Sequence, residues 1–550
     1  MTKFFRGAIL SAIALGLMLS QSNIAQAQSV KDRAAVVVRI KSIDNLLDSV
    51  AYMVGAAGFR NFVPAITLGA GAFLEGFDTE RPIGGYLTLD DGVPQFVGFI
   101  PVEDLGDVID MLENNGVEIE EDGDDFIIIS PTGDEIVIRG KGKWAFISAN
   151  AEMLEDLPED PAKLVSDIGD EYGVAVKAYV QRIPAALRSQ AIELMEQAFD
   201  ETYENLPGPA AEFQRRMNEN SLNQLAGMIQ QSDEIFLGLA ADKKGKRLYA
   251  DFSFTGQKGS DLAKGLTAGK GAKTDFSSFL KMDEAALTFN AASKVSGADA
   301  ENAKGTFGVI KDELGNMLAE DANLSEEDAE LLESFVGDML DVVMATIDSG
   351  KMDMGGAVLL GEDGLNVVGA GHLADAKKLE AAVKKLVDAK GDQLPPVVDL
   401  ELDAEKYKGV TFHKLSGSIP EDEAQSILGE TTTLAVGISS DKVYVGFGVD
   451  PIAKLKKAID GKSSKAADPM TQVNLKLSPI LRMVAQINGD DMFAEMADKL
   501  EDEGNQSLRI IGSTIENGQK TRLEMEDGIL GLIQVGASGF GGGGFGGGDF

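Results

Sequence analysis

The chain contains no cysteine and only two histidines among its 550 residues. The absence of cysteine excludes disulfides, thiol catalysis, iron–sulfur clusters and cysteine-ligated zinc. With only His372 and His413 available, the sequence has little material for histidine-based acid–base catalysis or for a histidine zinc site. We therefore expect the stability of the protein to come from a large packed core.

Positive charge is also scarce. The chain has 50 Lys and Arg against 89 Asp and Glu, which gives a formal net charge of −39. Such a surface repels phosphate backbones and anionic lipids, so neither nucleic acid nor a charged membrane is an expected partner. The acidity favours solubility in a salty medium, and loose multisite binding of divalent cations is the alternative.

The first 27 residues have the pattern of a secretory signal peptide. Lys3 and Arg6 precede an apolar run over residues 8–19, and a small-x-small motif ends at Ala27. The run is shorter than the roughly 20 residues of a membrane-spanning helix. We expect cleavage after Ala27, a periplasmic or extracellular location, and no transmembrane segment in the mature chain.

Two segments of the chain share one pattern. GGYLTLDDGVPQFVG begins at Gly84, and GGAVLLGEDGLNVVG begins at Gly355. Three further pairs follow in the same order: GKWAFISAN with DKVYVGFGVD, VAVKAYVQRIPAALR with TQVNLKLSPILR, and a hairpin near Gly245 with one near Gly518. In the second pair, Asn150 and Asp450 are predicted helix N-caps. The repeated order predicts a tandem duplication.

Alternating strands such as Val36–Ile40, joined by short turns, indicate antiparallel pairing, and the intervening helices are amphipathic. We predict an α+β protein with two curved antiparallel sheets and helices packed on one face of each. The predicted organisation is a signal peptide (1–27), a first repeat (28–255), a Gly/Lys-rich linker (256–280), a second repeat (281–535) and a disordered Gly/Phe-rich tail (536–550).

Candidate catalytic residues are few. His372 and His413 are predicted to be half-exposed strand residues, and the position that matches His372 in the first repeat is Pro101. The pair Ser439 and Lys442 has Ser-x-x-Lys spacing but spans a hairpin turn, where we expect no activation of the serine. The carboxylates over 120–125 have the density of a calcium site without EF-hand spacing, and an exposed acidic turn is the preferred interpretation. No phosphate-binding loop or dinucleotide motif is complete. The sequence therefore predicts no catalytic, metal or cofactor-binding residue and no cofactor.

One apolar segment, FVPAITLGAGAFLEGF over residues 62–77, carries no charge before Glu75. The preferred prediction is a buried helix that packs closely through Gly and Ala. A hydrophobic pocket or a partner-facing surface are the alternatives.

The exported, cysteine-free, acidic and duplicated α+β pattern resembles large exported bacterial proteins whose function is not known, and this resemblance implies no site residues. We predict a non-enzymatic envelope protein that acts by binding or scaffolding. A periplasmic carrier of a hydrophobic ligand such as a lipid is the alternative, and a carboxylate-based hydrolase is a weaker one.

Overall fold

A computed structural model of the chain describes residues 30–533, apart from residues 72, 91, 130–134, 204–224, 296, 298–299, 302, 309–324, 362–363, 391–397, 420–424, 426 and 462–468. The predicted signal peptide and the predicted tail lie outside the described residues. The chain divides into two compact units. The first comprises residues 1–194, 232–254 and 527–550, and the second comprises residues 195–231 and 255–526.

The first unit is built on ten strands, and every pair in it with a described register is antiparallel. The order across the sheet is β4-β5-β6-β7-β3-β2-β1-β8-β9-β10. The strands are β1 Val36–Ile40, β2 Ile83–Asp90, β3 Val93–Pro101, β4 Ile119–Asp122, β5 Asp125–Ile129, β6 Glu135–Lys141, β7 Trp144–Ser148, β8 Val174–Tyr179, β9 Ser232–Asp242 and β10 Arg247–Gly256.

Ten strands are also described in the second unit. Its order is β14-β15-β16-β17-β13-β12-β11-β18-β19-β20, and all of these pairs are antiparallel. The strands are β11 Ala285–Lys294, β12 Lys351–Gly361, β13 Gly364–His372, β14 Val398–Tyr407, β15 Val410–Ser418, β16 Thr431–Ile438, β17 Lys442–Gly448, β18 Thr471–Lys476, β19 Ser507–Ile515 and β20 Gly518–Glu526. Each strand of this unit therefore occupies the same place in the order as the strand numbered ten lower in the first unit.

The described α-helices connect these strands, and several begin at a predicted type of cap. Ser42 accepts a hydrogen bond from the Asn45 amide, and Asp450 accepts one from the Ala453 amide. The helices are α1 Val30–Arg33, α2 Ile43–Ala56, α3 Val63–Gly71, α4 Leu105–Asn114, α5 Ala185–Tyr203, α6 Asp261–Thr267, α7 Glu326–Asp348, α8 Ala376–Lys390, α9 Pro451–Asp460, α10 Leu477–Asn488 and α11 Asp491–Glu503.

Each unit has one sheet face that carries its main core, which we call the core face. In the first unit it carries Phe99 and Phe146, which are directly paired and completely buried. In the second unit it carries Ala370 paired with Tyr444, and also Phe412. Burial of each such aromatic side chain contributes roughly 1.5–3 kcal/mol. The opposite face of the strands in each unit is called the outer face.

The prediction of two separate sheets is not confirmed, and two further observations differ from the sequence prediction. The predicted linker, 256–280, contains helix α6, and its Phe276 and Phe279 are buried in the core of the second unit. In the first unit, α4 packs on the outer face through Val108, against Ile138 and Ala145. Helices therefore lie on both faces of this sheet, because α1 places Val30 in the core on the other side.

Candidate functional site

The outer face of the second unit is formed by side chains that point away from the core. Antiparallel register places His413, Val436, Val445 and Gly369 in one row, on four successive strands of the sheet. Neighbouring strands are about 4.8 Å apart, so His413 lies roughly 14 Å from Gly369 along this row. The row joins two features, an apolar trough at Gly369 and a polar cluster at His413.

The trough has a floor of glycine. Gly369 and Gly371 both face outward on β13, two residues apart, which makes the floor about 7 Å long. A Cβ atom built on Gly369 would have only the backbone oxygen of Gly355 within 4 Å, at 3.5 Å. On Gly371 it would meet only the backbone oxygen of Asp353, at 3.8 Å. No side chain therefore lies within 4 Å of the Cβ position of either glycine.

The walls of the trough are apolar, and Phe447 and Phe289 lie on the same face beside them. Met354 is paired with Gly371 on one side, and Val445 is paired with Gly369 on the other, while Val367 closes one end. The side chains of this surface are unusually exposed for large apolar residues in a sheet: Met352 44%, Met354 42%, Val367 40%, Leu434 38% and Val445 43%. Together they expose several hundred Å² of apolar surface, a size that is often functional on a soluble protein.

The first unit fills the space that the second leaves open. Its sheet pairs Gly85 with Gly98, as the second pairs Gly356 with Gly369. By this register, Ile100 stands where the second unit has Gly371. Likewise, Phe96 stands where the second unit has Val367, and its ring lies 3.7 Å from a Cβ atom built on Gly98, the counterpart of Gly369. Larger side chains therefore occupy the trough position in the first unit.

The helices that follow β3 and β13 also differ. In the first unit, α4 buries Val108 in an outer-face cluster with Ala145 and Ile147. The corresponding helix, α8, contributes Leu379 and Val383 at the matching positions, and both are only partly buried. Among the described residues of α8, the buried side chains are the small Ala376 and Ala382.

The polar cluster lies between α8 and the outer face. Lys384 of α8 donates to Glu380 Oε1 at 2.8 Å and to Asp403 Oδ1 at 3.1 Å. The Asp403 amide donates to His413 Nδ1 at 3.1 Å. Asp403 has φ +53° and lies in a β-bulge between β14 and β15. The His413 side chain is only 6% exposed.

The charges of this cluster shift its pKa values in consistent directions. The hydrogen bond from Lys384 lowers the pKa of the Asp403 carboxyl. The hydrogen bond to Glu380 raises the pKa of Lys384. Burial lowers the pKa of His413 below its ordinary value of 6.5, so the imidazole is neutral at neutral pH.

Glu380, Asp403 and His413 place ligand atoms within 4.8 Å of one another, which is close enough for three ligands of one metal ion. The hydrogen bond from the Asp403 amide occupies the single lone pair of the neutral imidazole, at Nδ1. The hydrogen is then on Nε2, which points toward Glu380 Oε1 at 3.8 Å and has no lone pair for a metal. Lys384 already forms hydrogen bonds with both carboxylates. The donor set does not fit a metal ion, and it fits a network that fixes α8 to β14 and β15.

The other sequence-predicted candidates have structural partners. Ser439 donates its hydroxyl to the Lys442 backbone oxygen at 3.3 Å, while the Lys442 ammonium pairs with Asp275 at 3.2 Å. The serine is therefore not activated by this lysine. His372 ends β13 and is half-buried, as predicted. The prediction of half exposure for His413 is wrong, because α8 covers it.

The acidic turn over 120–125 connects β4 and β5 and is largely exposed. Asp125 is an exception, since both of its oxygens accept from the Arg139 guanidinium, at 2.5 and 2.7 Å. This bidentate pair occupies the one buried carboxylate of the turn.

The apolar segment 62–77 contains helix α3, and the prediction that this helix is buried is wrong. Ala70 is its one buried residue, whereas Leu68 is 78% exposed and the preceding Phe62 is 52% exposed. The composition of the segment is equally compatible with a buried and with an exposed apolar helix. Its exposure is therefore determined by what packs against it in the tertiary structure.

Sequence reasoning missed the trough. The available signal was the contrast between Gly-x-Gly at 369–371 and Gly-x-Ile at 98–100 within otherwise matching segments. That contrast acquires meaning only when strand pairing shows which face the glycines share.

No helix among the described residues has the length and apolarity needed to cross a membrane. Comparison with protein-family models, with curated proteins and with solved structures gave no match. The functional conclusion therefore depends on the geometry of the chain itself.

Proposed function

We propose that this protein is an exported, non-enzymatic binding protein whose second unit holds an aliphatic ligand, such as a lipid acyl chain, in the glycine-floored trough. The observation that carries the proposal is the open space above Gly369 and Gly371, walled by Met354 and Val445. The walls carry no charge, and the trough offers an apolar ligand contact on three sides.

The chemistry of the walls favours an aliphatic chain over a polar ligand. Each methylene group that leaves water contributes about 0.8 kcal/mol, so a chain of several methylenes can bind without a polar anchor. The methionines Met352 and Met354 are flexible and polarizable, which lets them adapt to chains of different length. The polar cluster at His413 holds α8 against β14 and β15, and recognition of an aliphatic ligand does not require it.

Tandem duplication of one ancestral module is part of this proposal. Three observations support it: the identical strand order of the two units, the equivalent glycine pairs Gly85–Gly98 and Gly356–Gly369, and the N-caps at Asn150 and Asp450. Under this proposal, the two copies have diverged so that one outer face is filled and the other is open.

The trough is tested by giving the second unit the residues of the first. Val367→Phe and Gly371→Ile should each fill the trough, and the double variant should weaken binding of a fluorescent fatty acid at least tenfold. That loss corresponds to about 1.4 kcal/mol, or roughly two methylenes returned to water. Native mass spectrometry of protein from its own host should show a co-purifying aliphatic ligand on the wild type and none on the double variant.

Gly361→Ile is the matched control. Gly361 lies in the same β12–β13 hairpin, is exposed on the core side of the sheet, and has no atom within 4 Å of a built Cβ. It should bind the probe as the wild type does. If the wild type binds no fatty acid, or if the double variant binds as tightly as the control, the trough is not the ligand site.

Export is also a proposal, supported by the basic start, the apolar run and the small residues that end at Ala27. Mature protein from the native host should begin at Gln28, which N-terminal sequencing would determine. A mature chain that still begins at Met1 would contradict it.

A further inference from the structure

Helix α3 of the first unit presents an apolar surface that no described residue covers. It packs against α2 and the 3₁₀ turn Arg60–Phe62. Leu68 is the most exposed large hydrophobic residue among those described, and Phe62, which directly precedes α3, is half exposed. The sequence carries no charged residue from Asn61 to Leu74. Transfer of this surface out of water would therefore desolvate no charge.

The dimensions of α3 limit what can cover it. A helix of nine residues is about 13.5 Å long and about 10 Å wide with its side chains, so one face offers on the order of 150–300 Å². A stable protein interface buries about 800 Å² on each partner. A second copy of this chain, or another folded protein, would need much more surface than α3 supplies. A lipid bilayer sets no such minimum area, because binding strength scales with the apolar area that is buried.

We propose that α3 is a bilayer-contact helix, which inserts Phe62 and Leu68 reversibly into the surface of an electrically neutral membrane. The net charge of −39 favours a neutral membrane over an anionic one, since an anionic bilayer would repel the rest of the chain. The contact should be weak because α3 is small. A single myristoyl chain has more apolar surface, and it binds membranes with an association constant of only about 10⁴ M⁻¹. This inference goes beyond the ligand trough and stands without it.

Flotation of the full mature chain with phosphatidylcholine vesicles at millimolar lipid tests the proposal. The wild type should float with the vesicles. Leu68→Asp should reduce the vesicle-bound fraction about tenfold, because the exposed leucine is lost and a charge must enter the interface. Replacing about one third of the lipid with phosphatidylglycerol should weaken wild-type binding, and added salt should restore it.

Leu194→Asp is the matched control, since Leu194 is a leucine of α5 in the same unit with 57% exposure. It adds the same negative charge and should float as the wild type does. Val367→Phe, which blocks the trough of the second unit, should also float normally, so that failure of the trough and failure of the bilayer contact remain distinct.

Four results would overturn the inference, three of them in flotation. The flotation results are a wild-type chain that does not float, a Leu68→Asp variant that floats as well as the wild type, and equal losses in the Leu68 and Leu194 variants. A wild-type dimer in sedimentation that Leu68→Asp dissociates would also overturn it, because a second copy would then be the occupant of this surface.

Discussion

Acidification should destabilise the protein through His413, because the folded structure accommodates only the neutral imidazole. The Asp403 amide donates to Nδ1 at 3.1 Å inside a β-bulge. A proton on Nδ1 would place two donors face to face and leave the Asp403 N–H unpaired. An unpaired buried donor costs about 1–3 kcal/mol. The positive φ of Asp403 fixes this amide in place, so the bulge has little freedom to turn it away.

The direction of the pH dependence follows from linkage. Burial lowers the pKa of His413 below 6.5, so the unfolded chain takes up this proton at a higher pH than the folded chain does. The stabilising contribution is fully present above 6.5 and is lost as the pH falls through 6.5 toward the folded pKa. One group can change the free energy of unfolding by at most about 1.4 kcal/mol per pH unit. The charged groups that face the imidazole are Glu380, Lys384 and Asp403.

Urea denaturation between about pH 8 and pH 5.5, the range in which histidine titrates, measures this effect. The wild type should lose stability across the range, whereas His413→Gln should show a flatter profile, since its amide oxygen can still accept from the Asp403 N–H. His372→Gln, which replaces the only other histidine, should keep the wild-type slope. Equal slopes for the wild type and His413→Gln would refute the role given to the Nδ1 hydrogen bond.

Two further substitutions test features that the sequence alone does not reveal. Phe279→Ala should cost about 3–5 kcal/mol of unfolding free energy in thermal or urea denaturation, because Phe279 is completely buried in the core. Phe252→Ala, at a half-exposed phenylalanine, should cost about 1 kcal/mol or less, and equal losses would contradict the placement of Phe279. Asp125→Ala should cost about 3–5 kcal/mol, since it leaves the Arg139 guanidinium without its bidentate partner. The neighbouring Asp124→Ala should change stability by about 0.5 kcal/mol or less, and calorimetry that ranked the two in the opposite order would refute the pairing.

Local features of the fold were predictable from local sequence. The alternating strand Val36–Ile40 has the predicted bounds, and the hairpin at Gly518 turns through Glu516 and Asn517, with Asn517 at φ +54°. The caps at Asn150 and Asp450 are confirmed. Each of these outcomes depends on residues within a few positions of one another, so the pattern contains the physical cause.

Features that depend on distant residues were not predictable. Alternation along β15 assigns His413 to a face, but its burial requires α8, which comes earlier in the chain. Phe276 and Phe279 are two apolar residues in a Gly- and Lys-rich stretch, and no periodicity marks them as core. The exposure of α3 likewise depends on what packs against it, which composition does not determine.

Predicting the trough from the sequence is harder still, because an open space is defined by the residues around it and not by a residue of its own. Gly369 and Gly371 become a trough only when β12 and β17 flank β13, and β17 lies about 70 residues away in the chain. The first unit shows that this backbone does not require the opening, since Ile100 and Phe96 occupy the same register positions there. Small residues at these positions in the second unit forgo about 0.8 kcal/mol for each methylene that could have been buried. Packing alone would favour the filled arrangement of the first unit. An outer face that gives up this stabilisation and also exposes Met354 and Val445 has the properties expected of a binding surface.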